Sequence, residues 1–220
     1  MPVAVELGLR ERKKQQTRRQ IADAAWSLIV ERGFEQVTVA EIARAADVSE
    51  ATVFNYFPAK EDLVFHALED FEAEMLDAVR HRPAGSAVLD AFADFVFDIR
   101  GYLASDAPED AAALRSVARV ISQSPSLQAR ERLTYDRYTS ALAGVIAAEG
   151  GAGADDLGSW VVANALVGLQ RGVVDYVRHA LLSGMDLPSI RTAVRGQGRK
   201  ALVAMRQRLG DACSQGVPVA

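Results

Sequence analysis

Cysteine is nearly absent: Cys213 is the single one in 220 residues. No internal disulfide can form, and a thiol this close to the C-terminus argues against a structural or nucleophilic role. Such cysteine usage suits a reducing, cytoplasmic setting. Histidine is scarce too. His66, His81 and His179 show no metal-ligand spacing. Glycine-rich phosphate loops, nucleophile elbows and carboxylate motifs are missing as well. The adjacent acids Glu61-Asp62 and Asp155-Asp156 fall near expected helix starts, where they complement the dipole. These absences point away from an enzyme, a bound metal or a cofactor. No uninterrupted apolar run approaches the ~18 residues of a membrane span. The opening MPVAVELGLR is short and followed by charge, so residues 1–9 are expected to be a disordered arm rather than a signal peptide.

Excess positive charge is also lacking, since the net charge is −4. Its distribution matters more. Residues 1–60 hold nine Lys/Arg and eight Asp/Glu, and the remaining sixteen and twenty-one make that part −5. Arg10, Arg12, Lys13, Lys14, Arg18 and Arg19 cluster against Glu11 alone. Phosphate binding needs a local basic surface, not a basic protein. Read alone, the cluster is equally a solvated start to a helix.

What the sequence does have is helical periodicity throughout, with no sustained alternation. An all-α fold is expected. Ile21, Ala25, Leu28 and Ile29 mark a first helix over 10–32, ended by Gly33 at a left-handed C-cap position. Thr38 and Glu41 have the spacing of a capping box. It opens a short helix with Val39, Ile42, Ala43 and Ala46 inward. Asp47-Val48-Ser49 breaks that helix, Ser49 caps another to about Phe57, and Pro58 ends it. A long helix is expected over 59–82 as a link to the rest of the chain.

Two short capped helices joined by a tight turn make a helix-turn-helix, here over 38–57. Val48, Val53 and Phe57 would face inward, leaving Glu50, Ala51, Thr52, Asn55 and Tyr56 outside. A buried stripe and a short polar outer stripe suit a major groove. Helix pairs of this length also occur as plain structure.

The stretch GFEQVTVAEIARAADVSEATVFNYFPAKEDL, residues 33–63, resembles the DNA-binding domain of TetR-type regulators. Matching elements are Gly33-Phe34, Thr38-Val39, Ile42-Ala43, Val48-Ser49, Tyr56-Phe57 and Lys60-Glu61-Asp62-Leu63. The resemblance extends over residues 10–75. It implies a homodimer that sets two recognition helices in successive major grooves of a near-palindromic operator, about 34–36 Å apart. Thr38, Thr52, Tyr56 and Lys60 would then contact phosphates, with Ser49 at the recognition-helix cap. Glu50, Ala51, Thr52 and Asn55 would face base edges: Asn pairs with adenine, Glu accepts from cytosine, and Ala meets a thymine methyl. Arg10 to Arg18 would form an arm along the backbone or in the minor groove. Phe54 departs from the tyrosine more usual in the family, so no polar contact is assigned to it.

Residues 76–212 are expected to form a regulatory and dimerisation domain, with 213–220 a flexible tail. Helices are expected near 86–104, 109–122, 125–148, 155–183 and 187–211. The segment 154–183 is apolar nearly all round, as a helix buried on two sides would be. Val161, Ala165, Gly168 and Gly172, with Leu202 and Met205 on the last helix, could build a dimer interface as the family does, or simply be core. Phe95, Ile99 and Tyr102, with Arg119, Tyr138, Trp160, Asn164 and Arg171, could line a small-molecule site. Each equally suits packing or a surface ion pair. The layout is similar to regulators of lipophilic or acyl-CoA-like effectors. The function expected is thus a ligand-released repressor acting on double-stranded operator DNA. An activator, or a helical scaffold that does not bind DNA, is the alternative.

Overall fold

A computed structural model describes residues 8–66, 70–153 and 155–214, without the side chains of Leu9 and 205–214. Among the described residues all regular structure is helical. The order is α1 (Leu9–Arg32), α2 (Val39–Ala45), α3 (Glu50–Tyr56), α4 (Asp62–Phe65), α5 (Phe71–Arg80) and α6 (Val88–Phe97). There follow α7 (Pro108–Gln123), α8 (Pro125–Glu149), α9 (Leu157–Leu182) and α10 (Leu187–Ser214). Short 3₁₀ turns cover Phe34–Gln36 and Gly101–Ala104.

Two expected spans differ. The helix expected over 59–82 is described as α4 and α5, and residues 67–69 between them lie outside the described residues. The helix expected over 86–104 stops at Phe97. Asp98 and Arg100 are extended and Gly101 takes a φ of 58°, a left-handed conformation that costs glycine little. The expected arm and tail ends, 1–7 and 215–220, lie outside the described residues.

The chain divides into two compact units. The first holds the described residues up to 66 together with 119–131. The second holds 70–118 and 132 onward. This differs from the expected division at 75/76, and side-chain bonds explain why. Glu35 accepts from the hydroxyls of Ser124 at 2.6 Å and Ser126 at 3.1 Å. Arg130 donates to Asp62 at 2.7 Å. The turn between α7 and α8 is thereby held to the first unit, although 89 residues separate Glu35 from Ser124.

In the first unit α1 packs on α2 and α4, and α2 on α3. Ile21, Ala25 and Ile29 of α1 are buried, as their spacing predicts. Gly33 closes α1 with φ 85° and ψ 150°, donating to the Ile29 carbonyl at 2.8 Å. The φ sign is as expected, but ψ places it in an extended region open essentially to glycine alone. Thr38 and Glu41 form the capping box. The Glu41 amide donates to Thr38 Oγ1 at 3.2 Å, and Glu41 Oε2 accepts from the Thr38 amide and hydroxyl at 2.8 Å each.

Arg32 also donates to Glu41 Oε1 at 2.8 Å, and the bonds from the Thr38 amide, from Arg32 and from the Thr38 hydroxyl hold the Glu41 carboxyl down to about 2. A carboxyl depressed in the folded state stabilises fully above its ordinary value of 4.5, and that contribution is lost as pH falls toward about 2. Glu41→Gln should therefore melt below the wild type at pH 6, with the gap narrowing steadily between pH 4.5 and 2. A gap independent of pH would show that the carboxylate's bonds are not what the cap contributes.

The second unit has two buried clusters. One gathers Met75, Phe92, Tyr138, Leu142, Ala163 and Leu166. The other gathers Phe97, Ala118, Leu181, Leu187, Ile190 and Val194. Gly198 is required where α10 crosses α6, because a Cβ there would overlap the Phe97 ring. Arg82 ties α5's end to Glu149 on α8 through two bonds of 2.9 and 2.7 Å. α9 buries one side through Ala163, Leu166 and Val167, but the opposite side is exposed. One 18-residue stretch of α9 reaches a mean hydropathy of 1.2, which a count of uninterrupted apolar residues misses. Gln170, Arg171, Asp175 and Arg178 interrupt it.

Candidate nucleic-acid interface

The turn from α2 into α3 is a complete Schellman motif. Asp47, in the left-handed region at φ 52°, donates its amide to the Arg44 carbonyl at 3.2 Å, and Val48 donates to Ala43 at 2.9 Å. Aspartate tolerates this conformation better than most residues. The chain turns sharply enough for Ser49 to cap α3 at once, accepting from the Thr52 amide at 3.1 Å. Val53 and Phe57 are buried. Phe57 meets His66 edge-on with centroids 6.1 Å apart, and the Arg18 guanidinium lies 4.9 Å from its centroid.

The rest of α3 faces outward. Glu50, Ala51, Phe54 and Asn55 are exposed, and Thr52 and Tyr56 are half-buried. Among the described residues, Glu50, Asn55 and the Tyr56 hydroxyl have no side-chain hydrogen-bond partner. Their polar ends are available to another molecule. Ser49 and Thr52 share one hydroxyl–hydroxyl hydrogen bond of 2.8 Å. One of their two hydroxyl hydrogens thus remains for an outside acceptor. Thr38 is less free, because its hydroxyl hydrogen already goes to Glu41.

Lys60 is a correction. Expected on a phosphate, it is half-buried, donates to the Phe34 carbonyl at 2.5 Å, and sits 4.1 Å from the Phe34 ring centroid. Burial pushes its ammonium below its ordinary value, with Glu35 opposing. Lys60 fastens the turn after α1 and is not aimed outward. The basic residues expected along the backbone or in the minor groove lie on α1: Arg10, Arg12, Lys13 and Lys14 are exposed there, and Arg18 is half-buried against Phe57. A helix is about 10–12 Å across, too wide for a minor groove of about 6 Å.

Two features went unassigned in the sequence reading. Phe54, given no polar contact there, lies outside, 48% exposed. Glu35 grips the α7–α8 turn, where its carboxyl is held below its ordinary value chiefly by the Ser124 hydroxyl. The exposure of Phe54 was readable from its position one residue past Val53. The Glu35 contact had no local signal.

In the second unit, of the residues expected around a ligand, Phe95 and Ile99 line a cavity of about 140 Å³ with Phe71, Val96, Leu103 and Val173. Asp98 and Arg100 stand at both this cavity and an adjoining cleft of about 740 Å³ that carries Arg195 and Arg199. Tyr138 is elsewhere, packed in the core against Phe71 at 5.5 Å between centroids. Tyr102, Arg119, Trp160, Asn164 and Arg171 are exposed. The turn at Gly101 carries Tyr102 out, the Asn164 amide bonds the Trp160 carbonyl, and Arg171 pairs with Asp175. Of the expected dimer residues, Val161, Ala165, Gly168 and Gly172 lie on the exposed side of α9, and Leu202 is half-buried. The side chain of Met205 lies outside the described residues.

The description "Bacterial regulatory proteins, tetR family" matches residues 21–67, and "MftR C-terminal domain" matches 87–187. The HTH-type transcriptional regulator TcmR of Streptomyces glaucescens is 31% identical over 151 residues, covering 68% of this chain and 67% of TcmR. The HTH-type transcriptional regulator BetI of Escherichia coli is 39% identical over 87 residues, which span 37% of this chain and 45% of BetI. The crystal structure of NalD, the secondary repressor of the MexAB-OprM multidrug efflux pump in Pseudomonas aeruginosa, superposes with a TM-score of 0.52. It covers 86% of this chain and 96% of NalD at 17% identity, a likeness of fold alone. The capped helix pair falls within the first of these matched regions, and the chain belongs to the TetR family of helix-turn-helix DNA-binding transcriptional regulators, which are not enzymes.

Proposed function

We propose that this chain is a repressor that binds a near-palindromic operator as a homodimer and leaves it when a small molecule binds the second unit. The observation that carries the DNA reading is the outer face of α3. Ala51 and Asn55 lie on it, exposed, and both the oxygen and the nitrogen of the Asn55 side-chain amide are unengaged. A side chain so placed can pair bidentately with adenine N6 and N7. Glu50 would accept from cytosine N4. Thr52, Ser49 and Tyr56 would donate to phosphates, and the basic start of α1 would lie along the backbone. Thr38 joins them only by exchanging its bond to Glu41.

Homodimerisation is supported by the exposed side of α9. Leu157, Val161 and Val162 stand in solvent there, and a Cβ on Gly168 or Gly172 would meet nothing within 4 Å. Gly168 and Gly172 also line an apolar cavity of about 320 Å³ with Ala193, Gly198 and Ala201 of α10, and their lack of side chains would permit close approach of another helix. The effector would enter at Phe95 and Ile99. The cavity of about 140 Å³ there is smaller than the ~300–1,000 Å³ of most ligand sites. A lipophilic or acyl-CoA-like molecule would have to widen it or extend into the arginine-bearing cleft. Widening on binding gives the effector a means of favouring a different conformation. The protein would act in the cytoplasm, beside its DNA.

The test is selection of bound duplexes from random DNA at fixed salt. Wild-type protein should enrich a two-fold-symmetric motif. Asn55→Ala should lose about 1–3 kcal/mol of discrimination at one position per half-site. An unchanged motif would remove Asn55 from base reading, and no enriched motif at all would favour a scaffold.

A further inference from the structure

The cavity at Phe95 and Ile99 has a size that selects its occupant. Its volume of about 140 Å³ is close to the ~150 Å³ of an apolar protein cavity that holds a single benzene ring. Phe71, Leu103 and Val173 give it further apolar wall. Gln170 lines it too, and among the described residues the Gln170 amide has no hydrogen-bond partner. Arg100 stands where the cavity adjoins the larger cleft and lines both.

The bonds of Arg100 can be accounted for. Its guanidinium lies 4.3 Å from the Phe95 ring centroid and donates to Glu74 at 3.1 Å, to Asp98 at 3.1 Å and to the Phe95 carbonyl at 3.2 Å. The Nε–H and one N–H of Nη1 remain without a partner among the described residues. Arg195 and Arg199, one turn apart on α10, are exposed in the cleft and also have no side-chain partner among the described residues. Asp94 and Asp98 line the same cleft, so it suits one added negative charge rather than a polyphosphate. We propose that this site takes a small aromatic monocarboxylate. One ring fills the cavity, and the carboxylate accepts the two unspent Arg100 donors, with Arg195 and Arg199 in the adjoining cleft. Hydrogen bonds between two charged groups are the strong ones. The proposal rests on the effector reading above and narrows it to an acid that enters without widening the cavity.

Isothermal titration calorimetry on the full chain tests this with phenylacetate, phenylacetamide and naphthylacetate. Wild type should bind phenylacetate about tenfold more tightly than phenylacetamide, the worth of a hydrogen bond to a charged group. Naphthylacetate, whose second ring exceeds the cavity, should bind more weakly than phenylacetate. Arg100→Gln should bring phenylacetate down to the affinity of phenylacetamide and leave phenylacetamide unchanged. Arg100→Lys should keep part of the difference, and it carries the test if Arg100→Gln melts below wild type. Glu74→Gln should bind phenylacetate at least as tightly as wild type, because it releases an Arg100 donor. If Arg100 served only to hold the fold, Glu74→Gln would weaken binding as Arg100→Gln does. Equal affinity of wild type for phenylacetate and phenylacetamide would overturn the inference, as would tighter binding of naphthylacetate or no binding of phenylacetate. Adding phenylacetate to protein held on the selected duplex tests the effector reading separately. Binding without release would sustain the site and overturn its effector role. Release by decanoyl-CoA but not by phenylacetate would overturn the inference and leave the effector reading standing.

Discussion

Val161→Arg is expected to leave a folded monomer whose operator affinity is about 10²–10⁴-fold lower than wild type. The magnitude is that of losing a second, linked binding event while each recognition helix stays intact. Val161 is 59% exposed in the single chain, so a longer charged side chain has room there and costs the subunit little. Between two α9 helices the same guanidinium would be buried without a partner, which is strongly unfavourable. Light scattering at micromolar concentration reads the oligomeric state, and anisotropy with the selected duplex reads affinity. A dimer that persists in Val161→Arg would move the interface away from this face. A monomer that binds with unchanged affinity would remove the paired half-sites.

Phe57→Ala should destabilise the first unit by about 3–5 kcal/mol, the usual cost of truncating a buried aromatic. Phe57 is 1% exposed and closes α3 at the point where Pro58 stops the helix. Its loss would leave a cavity beneath α3, beside His66, and deprive the Arg18 guanidinium of its ring. Both buried clusters of the second unit are built from other residues. Denaturant unfolding followed by circular dichroism should therefore show an early transition absent from wild type, with DNA binding lost across it and the dimer retained. A single unshifted transition would mean that α3 is held by something other than its buried stripe.

Much of the interface was legible because its determinants are local. The pairs Thr38 with Glu41 and Ser49 with Thr52 sit three residues apart, the distance over which a side chain reaches a free amide at a helix start. Ile42, Ala43, Val53 and Phe57 were assigned inward from periodicity, and all four are buried. Lys60 was expected on a phosphate because the family resemblance was carried over position by position. Its actual acceptor, the Phe34 carbonyl, lies 26 residues back. The ligand residues fared worst. Periodicity says that a helix has an apolar face, but not which neighbour covers it. Arg119, Trp160, Asn164 and Arg171 proved to lie outside, while Arg100 and Val173 line the cavity without having been singled out for it.

The amino-acid sequence by itself determined most of the helices, the caps of α2 and α3, and the polar outward residues of α3, since each depends on bonds or periodicity within one or two turns. Tertiary structure decided the rest. It turned Lys60 inward, drew the α7–α8 turn to Glu35 and Asp62, left one side of α9 uncovered, and set Phe95 and Ile99 rather than Trp160 around a cavity. Those outcomes depend on which surfaces meet across long stretches of chain, and no local spacing encodes that.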